Sequence, residues 1–222
     1  MNKLNDFRNL DYHFFDCDGV ILDSNKVKSD SFYLVAKEFA DHKKANELVE
    51  YHKLHGGISR IKKFQYFFSE MLGLDSFEGQ FKRAMELYSQ YSVEGLYKAK
   101  LTVGFEEFIQ TLSKKSKKYV VTGGSETEVR QIFKDRKIDK YFEAIYGNPR
   151  DKYTIIEDTG IQTNNSNSIF YGDSRLDYEV SQNFSMNFLF LTQYTEFRDW
   201  KRFFEGKEVK IYQNFSKALD DL

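Results

Sequence analysis

The sequence predicts an α/β protein: a three-layer α/β/α core on a parallel sheet, carrying an inserted all-helical cap. Two observations predict it. From Leu101 onward, short apolar runs alternate with amphipathic helical patterns, as in a parallel sheet covered by helices on both faces. Ahead of that, the stretch 25–99 shows only helical periodicity, directly after one strand-like run. The expected division is therefore 1–24 and 100–222 for the core, and 25–99 for the helical insertion.

Tyr12-His13-Phe14-Phe15 is a short apolar run ending at an aspartate, and predicts a buried first strand. Helices are expected over 26–39, with Val27, Phe32, Val35, Ala36 and Phe39 on the apolar side, and over 44–54. His55-Gly56-Gly57 breaks the pattern, and Ser59 reads as the next N-cap. Ile61, Phe64, Phe68, Met71 and Leu72 keep a helical period up to Gly73, and 77–93 gives one more helix. In the core, helix 105–113 precedes strand 119–122, helix 126–134 precedes strand 144–146, and helix 152–158 precedes a polar loop at 162–167. Strand 168–171, helix 176–182 and strand 187–191 follow, and the tail adds helix 196–204, a strand near 209–211 and a last helix.

The 222 residues suffice for one sizeable core with an insertion. A formal net charge of −1 lacks the basic footprint of a nucleic-acid binder. The run Lys114-Lys115-Ser116-Lys117-Lys118 reads as a solvated helix end. No apolar stretch approaches the roughly 20 residues of a membrane helix, and the segment 1–10 lacks the apolar stretch of a signal peptide. One cysteine, Cys17, permits no internal disulfide. These features together lead to the expectation of a cytoplasmic protein without membrane or nucleic-acid partners; oligomeric state is not legible. The 17% aromatic content falls at helical or strand spacing, which assigns it to the core.

The chemistry concentrates at strand ends. In Asp16-Cys17-Asp18-Gly19-Val20, residues i and i+2 of an extended segment point the same way, so both carboxylates can face one pocket. The carboxyl ends of the strands are where open α/β sheets bind ligands. Two like charges buried together require a cation or a shared proton. Val121-Thr122-Gly123-Gly124 offers a hydroxyl and unhindered N–H groups at a second strand end, an anion cradle. Lys152 follows a third, with Arg150 as the alternative cation, and Gly172-Asp173-Ser174-Arg175-Leu176-Asp177 closes a fourth. Hard oxygen ligands suit Mg²⁺, which takes few carboxylates and keeps phosphate oxygens. Such an inventory suits phosphoryl transfer.

The order Asp-x-Asp-Gly-Val…Asp-Ser, Thr-Gly-Gly, Lys, then Gly-Asp-x-x-x-Asp resembles the haloacid dehalogenase superfamily over nearly the whole chain. That resemblance implies a Rossmann-like core with a helical cap after the first strand. It implies Asp16 as nucleophile, and Asp18 as general acid then base, offering its backbone carbonyl to Mg²⁺. Thr122, Gly123 and Gly19 would hold the phosphoryl oxygens, and Lys152 would neutralise the aspartyl-phosphate. The implied metal residues are Asp16, Asp18, Asp173 and Asp177, the last supporting Asp173 from behind. The superfamily's dehalogenases lack the second aspartate, so Asp18 favours a phosphohydrolase acting on a small phosphorylated metabolite such as a sugar phosphate or phosphoglycolate. Gly57-Ile58-Ser59-Arg60 resembles the β-phosphoglucomutase segment whose arginine grips a distal phosphate, making Arg60 the candidate for a remote substrate group, with His55 and Lys63 as neighbours. Ser125 stands where the mutase has lysine, Gly172 replaces an acidic residue, Asp177 fits the phosphatases better, and Tyr153 replaces the usual proline after the lysine. A phosphomutase and an inactive binding module are the rival expectations.

Plainer roles stand beside these. Thr122 and Asp177 suit a helix start, Asp23 and Ser24 suit a cap or hinge, His13 suits packing, His55 suits a turn, and Cys17 has neighbours of the wrong sign for a reactive thiolate.

Overall fold

The computed structural model describes residues 7–221; most of the segment read for a signal peptide, residues 1–6, lies outside them. Six strands form one parallel sheet: β1 Tyr12–Phe15, β2 Lys117–Ser125, β3 Ala144–Asn148, β4 Ser168–Gly172, β5 Asn187–Leu191 and β6 Lys210–Tyr212. Their order is β3-β2-β1-β4-β5-β6. The chain therefore winds one way from β1 to β3 and the other way from β4 to β6. Ligand crevices open where such a sheet reverses, between β1 and β4.

Alternation along each strand divides the core into two layers. Phe15, Val120, Tyr171 and Leu189 join one cluster with residues of α5 (Phe105–Thr111), α6 (Glu126–Asp135) and α10 (Phe215–Asp220). Phe14, Val121, Phe170 and Phe190 join the other with α7 (Lys152–Thr159), α8 (Arg175–Asn183) and α9 (Trp200–Phe204). The neighbours Phe14 and Phe15 thus pin opposite faces of β1. Phe14 stacks on Tyr119 at 5.3 Å and Phe15 on Tyr171 at 4.4 Å. His13 is fully buried and satisfied, with Nδ1 2.9 Å from the Tyr171 hydroxyl and Nε2 3.1 Å from the Leu10 carbonyl.

Between β1 and α5 stand four helices with their own core: α1 Asn25–Lys37, α2 His42–Leu54, α3 Arg60–Tyr66 and α4 Glu78–Lys98. Phe32, Phe64 and Tyr88 meet at its centre, Phe32 lying 5.1 Å from Phe64 and 4.6 Å from Tyr88. The chain leaves and re-enters the core side by side. Leu22 bridges antiparallel to Leu101, and the Asp23 amide donates to the Lys100 carbonyl at 2.9 Å.

The structure departs from the sequence reading in several places. α3 widens into a π turn at Phe67–Met71, which lets the consecutive Phe67 and Phe68 both enter the helical core. α4 runs on to Lys98, because Leu96 still has sheet-side core to bury in. The helix expected from Glu196 begins only at Trp200; the Glu196 carboxylate accepts from the Ser29 hydroxyl of α1 instead. Ser24 and Ser59 occupy N-cap positions without making the capping bond.

Candidate active site

The β-strand ends deliver the four motifs to one place. β1 pairs with β2 through Phe15↔Val120 and with β4 through Phe15↔Tyr171. Asp16–Asp18 and Asp173 therefore leave the sheet at the same edge, beside Thr122 in the second half of β2. Asp16, Asp18, Gly123, Gly124 and Asp173 line a cleft whose opposite wall is the helical insertion, with Lys28, His52, Arg60 and Lys63. The space between the two walls is about 70 Å³. Each water-sized group needs roughly 10–15 Å³ of such space, so the cleft has room for a small molecule.

Lys152 and Asp177 lie beneath this lining. The Lys152 ammonium donates to Asp16 Oδ1 at 2.7 Å and to Asp177 Oδ1 at 2.6 Å, all three buried. Burial alone would lower its pKa; Asp16 and Asp177 outweigh that and hold it above the usual lysine value. The other Asp177 oxygen accepts from the backbone N–H groups of Asp173 and Ser174 and from the Ser174 hydroxyl. Asp177 thus holds both the lysine and the Asp173 loop. Gly172 explains its own smallness: a Cβ there would lie 2.3 Å from that of Asp177. Arg150 is elsewhere, paired with Glu126 and Asp158.

Asp16 and Asp173 are held less comfortably. Burial lifts the Asp16 carboxyl to about 7, with Asp177 and Asp18 adding to the rise. Burial, then Asp16, lifts Asp173 well above the carboxylate range, against the opposing bond from Asn25 Nδ2 at 2.6 Å. Asp16, Asp173 and Asp177 can each bring one oxygen within 4.8 Å of the others. Buried carboxylates this close, only partly offset by Lys152, fit a divalent cation with hard oxygen ligands. Gly19 shapes the same spot. It turns with φ +77°, and a Cβ would fall 2.2 Å from Asp173 Oδ2.

Asp18 receives the Ser24 hydroxyl at 2.6 Å and faces the Lys28 ammonium at 3.3 Å. So Ser24, expected as a cap or hinge residue, bonds Asp18. Thr122 is buried, its hydroxyl accepting from the Gly124 amide at 3.0 Å. Ser125 caps α6. Cys17 is fully buried; burial, then Asp18, raises its thiol well above the ordinary value. Arg60 reaches the cleft, but its terminal nitrogens donate to Glu128 of α6 at 2.7 and 3.0 Å, and it lies over the Tyr88 ring. His55 bonds back to Tyr51 of its own helix and lies outside the cleft lining.

Lys28, Asn25, His52 and Glu196 are among the cleft residues that motif reading missed. Helical spacing held a signal for one of them. Ser24, Lys28 and Phe32 fall at i, i+4 and i+8, so Lys28 shares a face with the apolar Phe32.

Residues 14–191 match the family model of haloacid dehalogenase-like hydrolases. The chain belongs to that family. Solved structures carry the same fold as this hydrolase. A predicted phosphatase from Clostridium acetobutylicum is 20% identical with a TM-score of 0.71, over 96% of this chain and 97% of that one. A predicted phosphoglycolate phosphatase from Haemophilus somnus is 19% identical, also at 0.71, over 96% and 97%. The family hydrolase YfnB of Bacillus subtilis, solved bound to magnesium, is 16% identical at 0.65, over 96% and 99%. No curated protein compared matches the sequence significantly. Among the described residues, no helix of the hydrolase is long and apolar enough to cross a membrane.

Proposed function

We propose that this hydrolase is a Mg²⁺-dependent phosphatase that cleaves a small phosphomonoester through an aspartyl-phosphate. The observation that carries the reading is the Lys152 ammonium shared by Asp16 and Asp177, beside Asp173 and under a cleft of small volume. Residues 1–24 and 100–222 form the catalytic core in this reading, and 25–99 the cap.

Asp16 Oδ attacks phosphorus in line as the ester oxygen departs, and Asp18 gives that oxygen its proton. The ionised Asp18 then takes a proton from water, which attacks the phosphoryl group and frees Asp16 with release of phosphate. Lys152 offsets the charge of Asp16, and the N–H groups near Gly19 and Gly123, with Thr122, orient the phosphoryl oxygens. Asp16, Asp173 and the Asp18 carbonyl would hold Mg²⁺, with Asp177 behind them. The ion supplies charge neutralisation for the phosphoryl oxygens. Cap closure keeps bulk water from the intermediate.

Phosphate release from a panel of phosphomonoesters with Mg²⁺ tests this. Asp16→Asn is expected to cut turnover at least about 10³-fold with the fold intact. Undiminished release from that variant overturns the nucleophile assignment. Conversion of a sugar 1-phosphate to its 6-phosphate without net release would instead mark a phosphomutase. No Mg²⁺ binding and no turnover anywhere would mark a binding module.

A further inference from the structure

The start of α1 is committed to the carboxylate cluster rather than to its own helix. Ser24 stands at the N-cap position, yet its hydroxyl donates to Asp18 and makes no capping bond. Asn25, the first residue of α1, reaches the other side of the cluster. Its Nδ2 donates to Asp173 Oδ2 at 2.6 Å and to the Tyr194 carbonyl at 2.8 Å. A side-chain amide nitrogen carries two hydrogens, and here both have an acceptor. The two acceptors also fix which end of the amide points at Asp173, because its oxygen in that place would face two oxygens with no hydrogen between. Gly19 leaves the room: a Cβ there would collide with both Asp173 Oδ2 and Asn25 Nδ2.

The main chain of Asp173 is held from two directions. Its N–H donates to Asp177, and its carbonyl accepts from the Thr195 hydroxyl. Its side chain is held differently. Among the described residues, Asn25 makes the one hydrogen bond to the Asp173 carboxylate, and makes it to Oδ2. Oδ1 is left to meet a cation beside Asp16 and Asp177. A carboxylate that ligates a metal needs such a partner to fix its orientation, and losing the partner typically costs about 10–100-fold in metal affinity.

We propose that Asn25 is a positioning residue for the metal site: its amide holds Asp173 by Oδ2, leaves Oδ1 to ligate, and so links Mg²⁺ binding to the first turn of the helical insertion. The link is reciprocal, since what Asn25 contributes to Mg²⁺ affinity, bound Mg²⁺ returns to α1. The inference rests on the Mg²⁺ part of the phosphatase reading and on neither the substrate nor the reaction. Ser29 provides the contrast. It lies one turn along α1 and bonds Glu196, two residues after Tyr194, without bonding Asp173.

The test is titration of the full chain with MgCl₂ by calorimetry, without substrate. Asn25→Ala is expected to weaken Mg²⁺ about 10–100-fold, Asn25→Gln to restore part of the loss, and Ser29→Ala to stay within about threefold of wild type. Amide exchange gives the second readout. Saturating Mg²⁺ is expected to slow exchange at residues 28–31 in wild type and to leave it unchanged in Asn25→Ala. An affinity in Asn25→Ala within threefold of wild type overturns the inference. Equal losses in Ser29→Ala and Asn25→Ala also overturn it, because they would trace the effect to the packing of α1 rather than to the amide. Exchange at residues 28–31 that ignores Mg²⁺ in wild type overturns the link to the helical insertion. A wild type that binds no Mg²⁺ overturns the inference together with the Mg²⁺ reading. Normal Mg²⁺ binding without turnover of any ester overturns the phosphatase reading and leaves the titration to decide the role of Asn25. Asn25→Leu, of similar size and without a donor, repeats both measurements should the alanine variant misfold.

Discussion

Lys152 is the residue on which the cluster of buried carboxylates balances. Its ammonium bonds two buried carboxylates, Asp16 and Asp177. Removing one partner from a buried ionic group leaves charge uncompensated, at a cost of roughly 3–5 kcal/mol. Lys152→Met is therefore expected to destabilise the metal-free protein by about that amount in urea unfolding, and to regain part of it when Mg²⁺ is added. A variant as stable as wild type without metal would show that the carboxylates are not held charged by this lysine. Position 152 was legible because strand ends converge in a parallel sheet, so motif order alone brings Asp16, Thr122, Lys152 and Asp173 to one edge. Lys28, His52 and Glu196 were not legible in the same way. Their partners lie across the cleft, and no periodicity links residue 29 to residue 196.

At the level of elements, α3 and α6 are tied across the cleft by one charged contact. Arg60 donates twice to Glu128, which also accepts from Ser89 of α4 at 2.8 Å. Both side chains are largely sheltered, and hydrogen bonds to charged groups contribute about 1.5–3 kcal/mol. Glu128→Ala is expected to loosen α3 without melting the helical core, whose Phe32, Phe64 and Tyr88 pack on one another. Amide exchange along α3 and Gly56-Gly57 should speed up roughly ten- to hundredfold, while exchange inside α4 stays near wild type. Unchanged α3 protection would mean that apolar packing alone keeps the helices closed on the core. Elements with strong period were read to within a few residues; the errors arose where tertiary bonds overruled propensity. Glu196 leaves its helix for Ser29, and two adjacent phenylalanines open a π turn.

For the molecule as a whole, pH sets stability through groups that pull in opposite directions. His13 lies in the centre of the sheet, and burial, then the Lys118 charge, lowers its pKa to about 4 from 6.5. The unfolded chain therefore binds a proton here between pH 6.5 and 4 that the folded chain refuses. Stability from this group is complete above pH 6.5 and drains away as pH falls through that window. The 2.5-unit gap is worth about 3 kcal/mol by pH 4. Asp16 works the other way, since its raised folded value favours the folded state on acidification. A single acid titration would mix the two. Comparing wild type with His13→Gln separates them, because the carboxylates titrate alike in both. The variant should be the less stable at pH 7, having lost its bonds to Tyr171 and Leu10. Its deficit should shrink by about 3 kcal/mol between pH 6.5 and pH 4, measured by urea unfolding at each pH. A deficit that stays constant across that window would place the proton-accepting histidine elsewhere, with the lowered His52 as the next group to test.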